Sequence, residues 1–171
     1  RYGSPEKIGG WSQLGGDKLT GAGRAIHNWN NNINEKYSAI GTNRILYVFS
    51  EGVFYDIHPI RLTITGANFT STSGSPTVTV TVASVHGLKD DDIVLFDAVS
   101  GLSGSTFTNA TFEDQKFMVT SVPTSTTFTI TMAVNESGTA ITNAGSASVL
   151  CYYTVGPSQQ LGAFGWGTGL Y

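Results

Sequence analysis

One cysteine, Cys151, stands in 171 residues. No disulfide can form within the chain, so packing or assembly must hold the fold together. Cys151 lies in the apolar run VLCYYTV, which reads as a small buried hydrophobe rather than a reactive thiol. Charge is equally scarce. Asp, Glu, Lys and Arg make up 12% of the residues, about half the usual share. A net charge of -3 leaves no basic footprint for general nucleic-acid binding and none for an anionic membrane. No apolar run nears the ~18 residues of a spanning helix, so no membrane segment is expected. No secretory leader is expected either. The three histidines, His27, His58 and His86, are far apart and form no metal-ligand spacing. Each reads as a strand or turn residue.

What the chain does have is glycine, threonine and aromatics in short alternating runs. Residues 37–60, YSAIGTNRILYVFSEGVFYDIHPI, read as three strands joined by two tight turns. In the middle run Ile45, Tyr47 and Phe49 share one face, and Leu46 and Val48 the other. Both faces are apolar, as expected of a strand packed between layers. Residues 21–30, GAGRAIHNWN, read as a fourth strand, with a short helix over 23–31 as the rival reading. Together 21–65 form a four-stranded up-and-down meander with the size and rhythm of one propeller blade. A single such sheet needs neighbours to bury its faces.

A composition shift follows residue 65. Residues 66–75 are polar and loop-like, and from Thr77 the period is two, with Val78, Val80 and Val82 on the core side. Further runs at 93–96, 116–122, 127–132 and 148–155 give a small all-β module over 66–155, a sandwich or short barrel inserted into the host fold. Residues 100–111 read as a loop, crossed by a short strand near Phe107. Residues 1–20 read as an extended Gly-rich arm anchored by Trp11 and Leu14. Residues 156–171 read as a Gly/aromatic segment that continues the host fold, with 162–171, GAFGWGTGLY, as an interlocking stretch. The expected class is therefore all-β: a blade-like antiparallel meander carrying an inserted β-module.

No constellation for catalysis, cofactor binding or metal binding emerges, and the chain is not expected to be an enzyme. Asp90, Asp91 and Asp92 lack the alternating spacing of a calcium loop and read as a solvated turn. Glu51, Asp56, Asp97, Glu113 and Asp114 are the acids to check for a glycosidase pair, but nothing local sets two of them across a cleft. Ser4, Ser12 and Ser73 lie in no nucleophile elbow. Gly21-Ala22-Gly23 is a weak phosphate signal. Asn68, Asn109 and Asn135 fit the N-glycosylation pattern, which matters only in a secreted eukaryotic protein.

The stretches RYGSPEKIGGW, AIGTNRILYVFSEGVFYDIHPIR, VHGLKDDDIVLF, KFMVTSVPTSTTFTIT and AFGWGTGLY resemble virion proteins of short-tailed bacteriophages. The resemblance implies a structural component of the tail, a nozzle or hub subunit below the portal and adaptor rings. Such subunits contain β-propellers and form a homo-oligomeric ring. DNA passes through the ring without specific binding, and adaptor and fibre proteins are the neighbours. At 171 residues the chain is much shorter than a whole nozzle, so a segment of a longer polypeptide is expected. The alternative is a receptor- or carbohydrate-binding β-module of a tail fibre or cell-surface protein, with Trp11, Trp29 and Tyr55 as sugar platforms.

Overall fold

The computed structural model describes residues 18–154. The N-terminal arm to residue 17, with Trp11 and Leu14, and the Gly/aromatic segment from 156 lie outside the described residues.

The first sheet is the meander. Strands β1 (Gly23–Asn30), β2 (Lys36–Thr42), β3 (Leu46–Ser50) and β4 (Val53–Asp56) lie in chain order and pair antiparallel. The rival helix over 23–31 is absent. Each turn has a local cause. Between β1 and β2 the Asn31 carboxamide oxygen accepts the N–H groups of Ile33 and Glu35. Between β2 and β3 the Thr42 hydroxyl accepts those of Arg44 and Ile45. Between β3 and β4, Glu51 and Gly52 both take positive φ, 50° and 87°. That is the two-residue turn whose twist matches the flanking strands, and Gly52 adopts it without cost.

The remaining strands are β5 (Ile60–Ile64), β6 (Asn68–Ser71), β7 (Thr77–Thr81), β8 (Ile93–Ser100), β9 (Gln115–Thr124), β10 (Thr127–Thr131) and β11 (Ser146–Tyr152), with a four-residue helix, α1 (Asn109–Phe112), before β9. They form one sheet in the order β5-β11-β8-β9-β10-β7-β6. The sheet closes on itself. Phe69 and Ala144 exchange backbone hydrogen bonds at 2.9 and 3.0 Å, and Ala67 and Ala147 at 3.0 and 3.2 Å. Both end strands thus bond to the stretch that runs into β11, and the module is a barrel. Strand β9 pairs with β8 through its first half and with β10 through its second.

Three expectations need correction. Residues 61–65 do not join the meander: β5 pairs with β11, Leu62 opposite Cys151 and Ile64 opposite Val149. This register puts Leu62 and Ile64 on the core side, whereas in the meander they would add to an exposed face. Residues 66–75 are not all loop. Strand β6 lies there, and Phe69, fully buried, pins it. The stretch 100–111 carries the start of α1, where the Thr111 hydroxyl accepts the Thr108 N–H at 3.1 Å. Its only bridge there is isolated, between Ser103 and Thr108.

Inside the barrel the Val/Thr alternation resolves as read: Val78, Val80, Phe128 and Ile130 are fully buried. The centre is a cluster of rings from Phe69, Phe96, Phe107, Phe112, Phe117 and Phe128. Cys151 is buried in the same core. Burial pushes its thiol up to about 11, the Asp92 carboxylate adding to the shift and Arg61 opposing it. Because the folded state holds this proton more tightly than the unfolded chain, stability is intact below about pH 9. It falls as pH rises from there to about 11, by up to about 1.4 kcal/mol per pH unit. Tyr152, raised in turn by burial and by the Asp56 carboxylate, adds a second alkaline step above about pH 10. Urea unfolding against pH should show both steps. Cys151→Ala removes the first and Tyr152→Phe the second, and a flat wild-type profile from pH 9 to 11 would refute the assignment.

Candidate functional site

The surface with functional potential is the meander. Its strand registers define two faces. On one, Ala25, Gly41 and Leu46 form a row, which Ile57 extends by donating its N–H to the Leu46 carbonyl at 3.1 Å. His27, Ala39, Val48 and Tyr55 form the next row, and Trp29 and Tyr37 a third. These rows contain no Asp, Glu, Lys or Arg. Trp29 stacks on Tyr37 at 5.5 Å and on His27 at 6.1 Å. Leu46 is 37% exposed, Tyr55 51% and Ile57 48%. Among the described residues this face is open, so only one side of the middle strand is sandwiched between layers. All eight residues of β1 are exposed, and its outer edge pairs with no described strand.

The opposite face docks on the barrel. Ile45 and Tyr47 pack with Ile93 and Tyr152 in a small second core, flanked by Leu19, Ile40, Phe54 and Leu95. A polar lock surrounds it. The Asp56 carboxylate accepts the Tyr152 hydroxyl at 2.7 Å, lies 3.0 Å from the Lys116 ammonium and accepts the His58 N–H at 2.9 Å. His58 Nε2 sits 2.7 Å from the Tyr153 carbonyl. On the far side Arg44 donates to the Asp91 carbonyl and lies 3.4 Å from the Asp91 carboxylate. Apolar contact with a partly buried ion pair holds two elements in one orientation.

The structure brings together three of the acids flagged in the sequence. Carboxylate oxygens of Asp97, Glu113 and Asp114 lie within 4.8 Å of one another. Their chemistry is already engaged. Glu113 accepts the N–H groups of Ala98 and Val99 at 3.1 and 2.6 Å, and Asp97 accepts that of Ala98 at 2.8 Å. Ala98 has φ of 53°, so these acids clamp an irregular turn of β8. Glu51 and Asp56 stand apart from this cluster. In the 90–92 turn, Asp91 pairs with Arg44, while Asp92 accepts the Lys89 N–H and the Thr154 hydroxyl.

His27 lies in the open stack and His58 at the lock. His86 is buried, and its Nδ1 accepts the Leu88 N–H at 3.0 Å. That bond places the ring proton on Nε2, which has no hydrogen-bond partner. The ring stands edge-on to that of Phe128, with centroids 5.4 Å apart. Of the glycosylation-pattern residues, Asn68 opens β6 and Asn109 accepts the Leu102 N–H. Asn135 is exposed in a loop.

Glu136 was missed. It is fully buried, and its carboxyl group accepts the N–H groups of Thr106 and Phe107. A single acid in a Thr/Ser/Gly loop gives no local sign of this, because its donors lie some thirty residues away.

No family model and no curated protein matches the chain. Among solved structures, the phage phi92 endosialidase resembles it over 75% of this chain, with 23% sequence identity and a TM-score of 0.42. The chain spans 19% of that protein's length. At that distance neither activity nor substrate transfers.

Proposed function

We propose that this chain is a structural segment of a phage tail, a blade-bearing part of a nozzle or hub subunit in a homo-oligomeric ring. It serves assembly and genome passage and carries out no catalysis. The sequence resemblance supplies the family. The observation that carries the reading is β1, an edge strand exposed along its whole length, with Arg24 as its sole charge. Proteins that work alone blunt such edges with charge, proline or cover. An edge left this plain suits a strand from a neighbouring blade or subunit. Mild net acidity suits a duct through which DNA slides, since Lys and Arg contacts to phosphate supply most non-specific affinity.

Mass spectrometry of the intact particle tests the reading. It should find these peptides in the tail, continuous with further sequence on both sides. Ile26→Lys with Asn28→Lys adds charge along the edge. Incorporation into particles should fall about tenfold or more, while the urea midpoint moves by no more than about 0.5 kcal/mol in stability. Normal incorporation of this variant would sink the edge argument.

A second reading, a sugar-binding module, draws on Tyr55, exposed on an aromatic face. Trp29 already stacks on two rings, and Trp11 lies outside the described residues. Glycan-array binding lost in Tyr55→Ala would favour it.

A further inference from the structure

We propose that the strand covering the outer edge of β1 is β4 of a second copy of this chain, joined head to tail so that the meander continues from one molecule into the next. This rests on the assembly reading, which leaves the partner of β1 open, and names that partner.

The meander has two open edges. Among the described residues β1 pairs with β2 alone and β4 with β3 alone. The backbone groups each edge offers follow from alternation along a strand. The Asn31 N–H bonds across to the Glu35 carbonyl at 3.0 Å, so residues 25, 27 and 29 bond to β2 while 26, 28 and 30 point outward. The Ile57 N–H bonds across to the Leu46 carbonyl at 3.1 Å, so residues 53 and 55 bond to β3 while 54 and 56 point outward. Asp56 is exposed although its side chain is only 21% exposed, so its main chain faces solvent.

Three observations select β4 of another copy as the occupant. The first is direction. Four strands in up-and-down order leave the first and the last antiparallel, so β1 of one molecule beside β4 of the next prolongs the antiparallel ladder. The second is charge. Arg24 is the only charged residue of β1 and Asp56 the only one of β4. A β1–β1 pair would place no acid beside Arg24. Setting Arg24 opposite Asp56 fixes the register: Ala25 then faces Tyr55, Ile26 faces Phe54 and His27 faces Val53. A shift of two residues would put Ile26 against the Asp56 carboxylate, and a slip of one would turn every side chain to the wrong side of the sheet.

The third is the match of sides. Phe54 flanks the core between meander and barrel, and Ile26 pairs with Ile40, which flanks the same core. In this register Ile26, 66% exposed, meets Phe54 on that side. Ala25 and His27 meet Tyr55 and Val53 on the open face. The contact is heterologous, so it repeats from copy to copy and closes into a ring when the rotation permits. Closure leaves no bare edge.

Disulfide trapping between two variants of the full chain tests this. His27→Cys and Val53→Cys, mixed at high protein concentration under mild oxidation, should give a mixed dimer. Native Cys151 is buried and stays out of the exchange. Each variant alone should give about tenfold less dimer, because neither brings its own cysteine opposite a second one. Val85→Cys, exposed on the barrel, mixed with Val53→Cys sets the background. Adding Arg24→Glu to the His27→Cys chain should lower the mixed yield about fivefold, since it sets a carboxylate beside Asp56. A mixed yield no higher than background overturns the proposal. Dimer from His27→Cys alone at the mixed yield overturns it in favour of β1–β1 pairing, and a yield indifferent to Arg24→Glu overturns the register on which it stands. If trapping fails while Ile26→Lys with Asn28→Lys still keeps the chain out of particles, β1 pairs with a different tail protein and the assembly reading survives. If trapping succeeds while that variant is incorporated normally, the pairing stands and the assembly reading falls.

Discussion

Phe96→Ala should destabilise the protein by about 3–5 kcal/mol, the upper range for truncating a buried aromatic. Phe96 is fully buried on β8, a central strand of the closed sheet. Four rings meet it: Phe69 at 5.1 Å, Phe117 at 5.5 Å, Phe112 at 6.0 Å and Phe128 at 6.5 Å. Removing it takes away the side chain's own burial and one member of several aromatic pairs, each worth about 0.5–1.5 kcal/mol beyond area. The cavity opens where β6, α1, β9 and β10 converge, and a closed sheet cannot collapse around it without breaking register. Phe96→Leu keeps most of the volume and should cost roughly 1.5 kcal/mol. Urea unfolding should show the midpoint falling with the slope unchanged, since the surface exposed on unfolding is the same. A loss below about 1 kcal/mol for Phe96→Ala would mean that the ring cluster is not what organises the barrel.

That cluster also marks where sequence legibility stops. The runs at 77–82 and 127–132 were readable as strands because Thr and Val or Phe alternate without interruption, and Val78, Val80, Phe128 and Ile130 are buried as the period requires. The meander was readable because its turns are chemical: Asn31, Thr42 and Glu51-Gly52 each dictate a reversal locally. Closure of the barrel was not. It depends on Phe69 meeting Ala144 and Ile64 meeting Val149, pairings across most of the module with no local trace. Leu46 and Val48 looked like one side of a sandwiched strand, because an exposed apolar face and a buried one are identical in sequence. The acids at 97, 113 and 114 could each be flagged, but their meeting is set by how β8 and β9 pair. With both oxygens of Glu113 engaged by backbone N–H groups, the cluster reads as a clamp on β8.

Glu136→Ala should cost about 2–4 kcal/mol, although no contact between apolar groups is central to it. Glu136 is fully buried beside Phe107, and two loops meet there. Its backbone bonds to residues 74 and 75 on one side, through the Gly74 N–H at 2.7 Å and the Ser75 carbonyl at 3.0 Å. Its side chain accepts the Thr106 N–H at 2.6 Å and the Phe107 N–H at 3.2 Å on the other. Alanine leaves both donors without a partner. The Phe107 N–H is buried and bears the full loss of about 1–3 kcal/mol; the Thr106 N–H is half-buried, so water recovers part of its share. Glu136→Gln keeps one acceptor and turns an NH₂ group toward the other donor, so it should fall about halfway. Gly104→Ala approaches the same site from outside. A Cβ there would lie 2.6 Å from Glu136 Oε2 and 2.7 Å from the Phe107 carbonyl, so the carboxyl group must shift or the loop must open. If the side chain is the staple, Glu136→Ala and Gly104→Ala should be strongly non-additive, with the double variant little worse than the poorer single. Equilibrium unfolding of the two singles and the double measures this, and additive losses would show that Glu136 and the 104–107 loop are held independently.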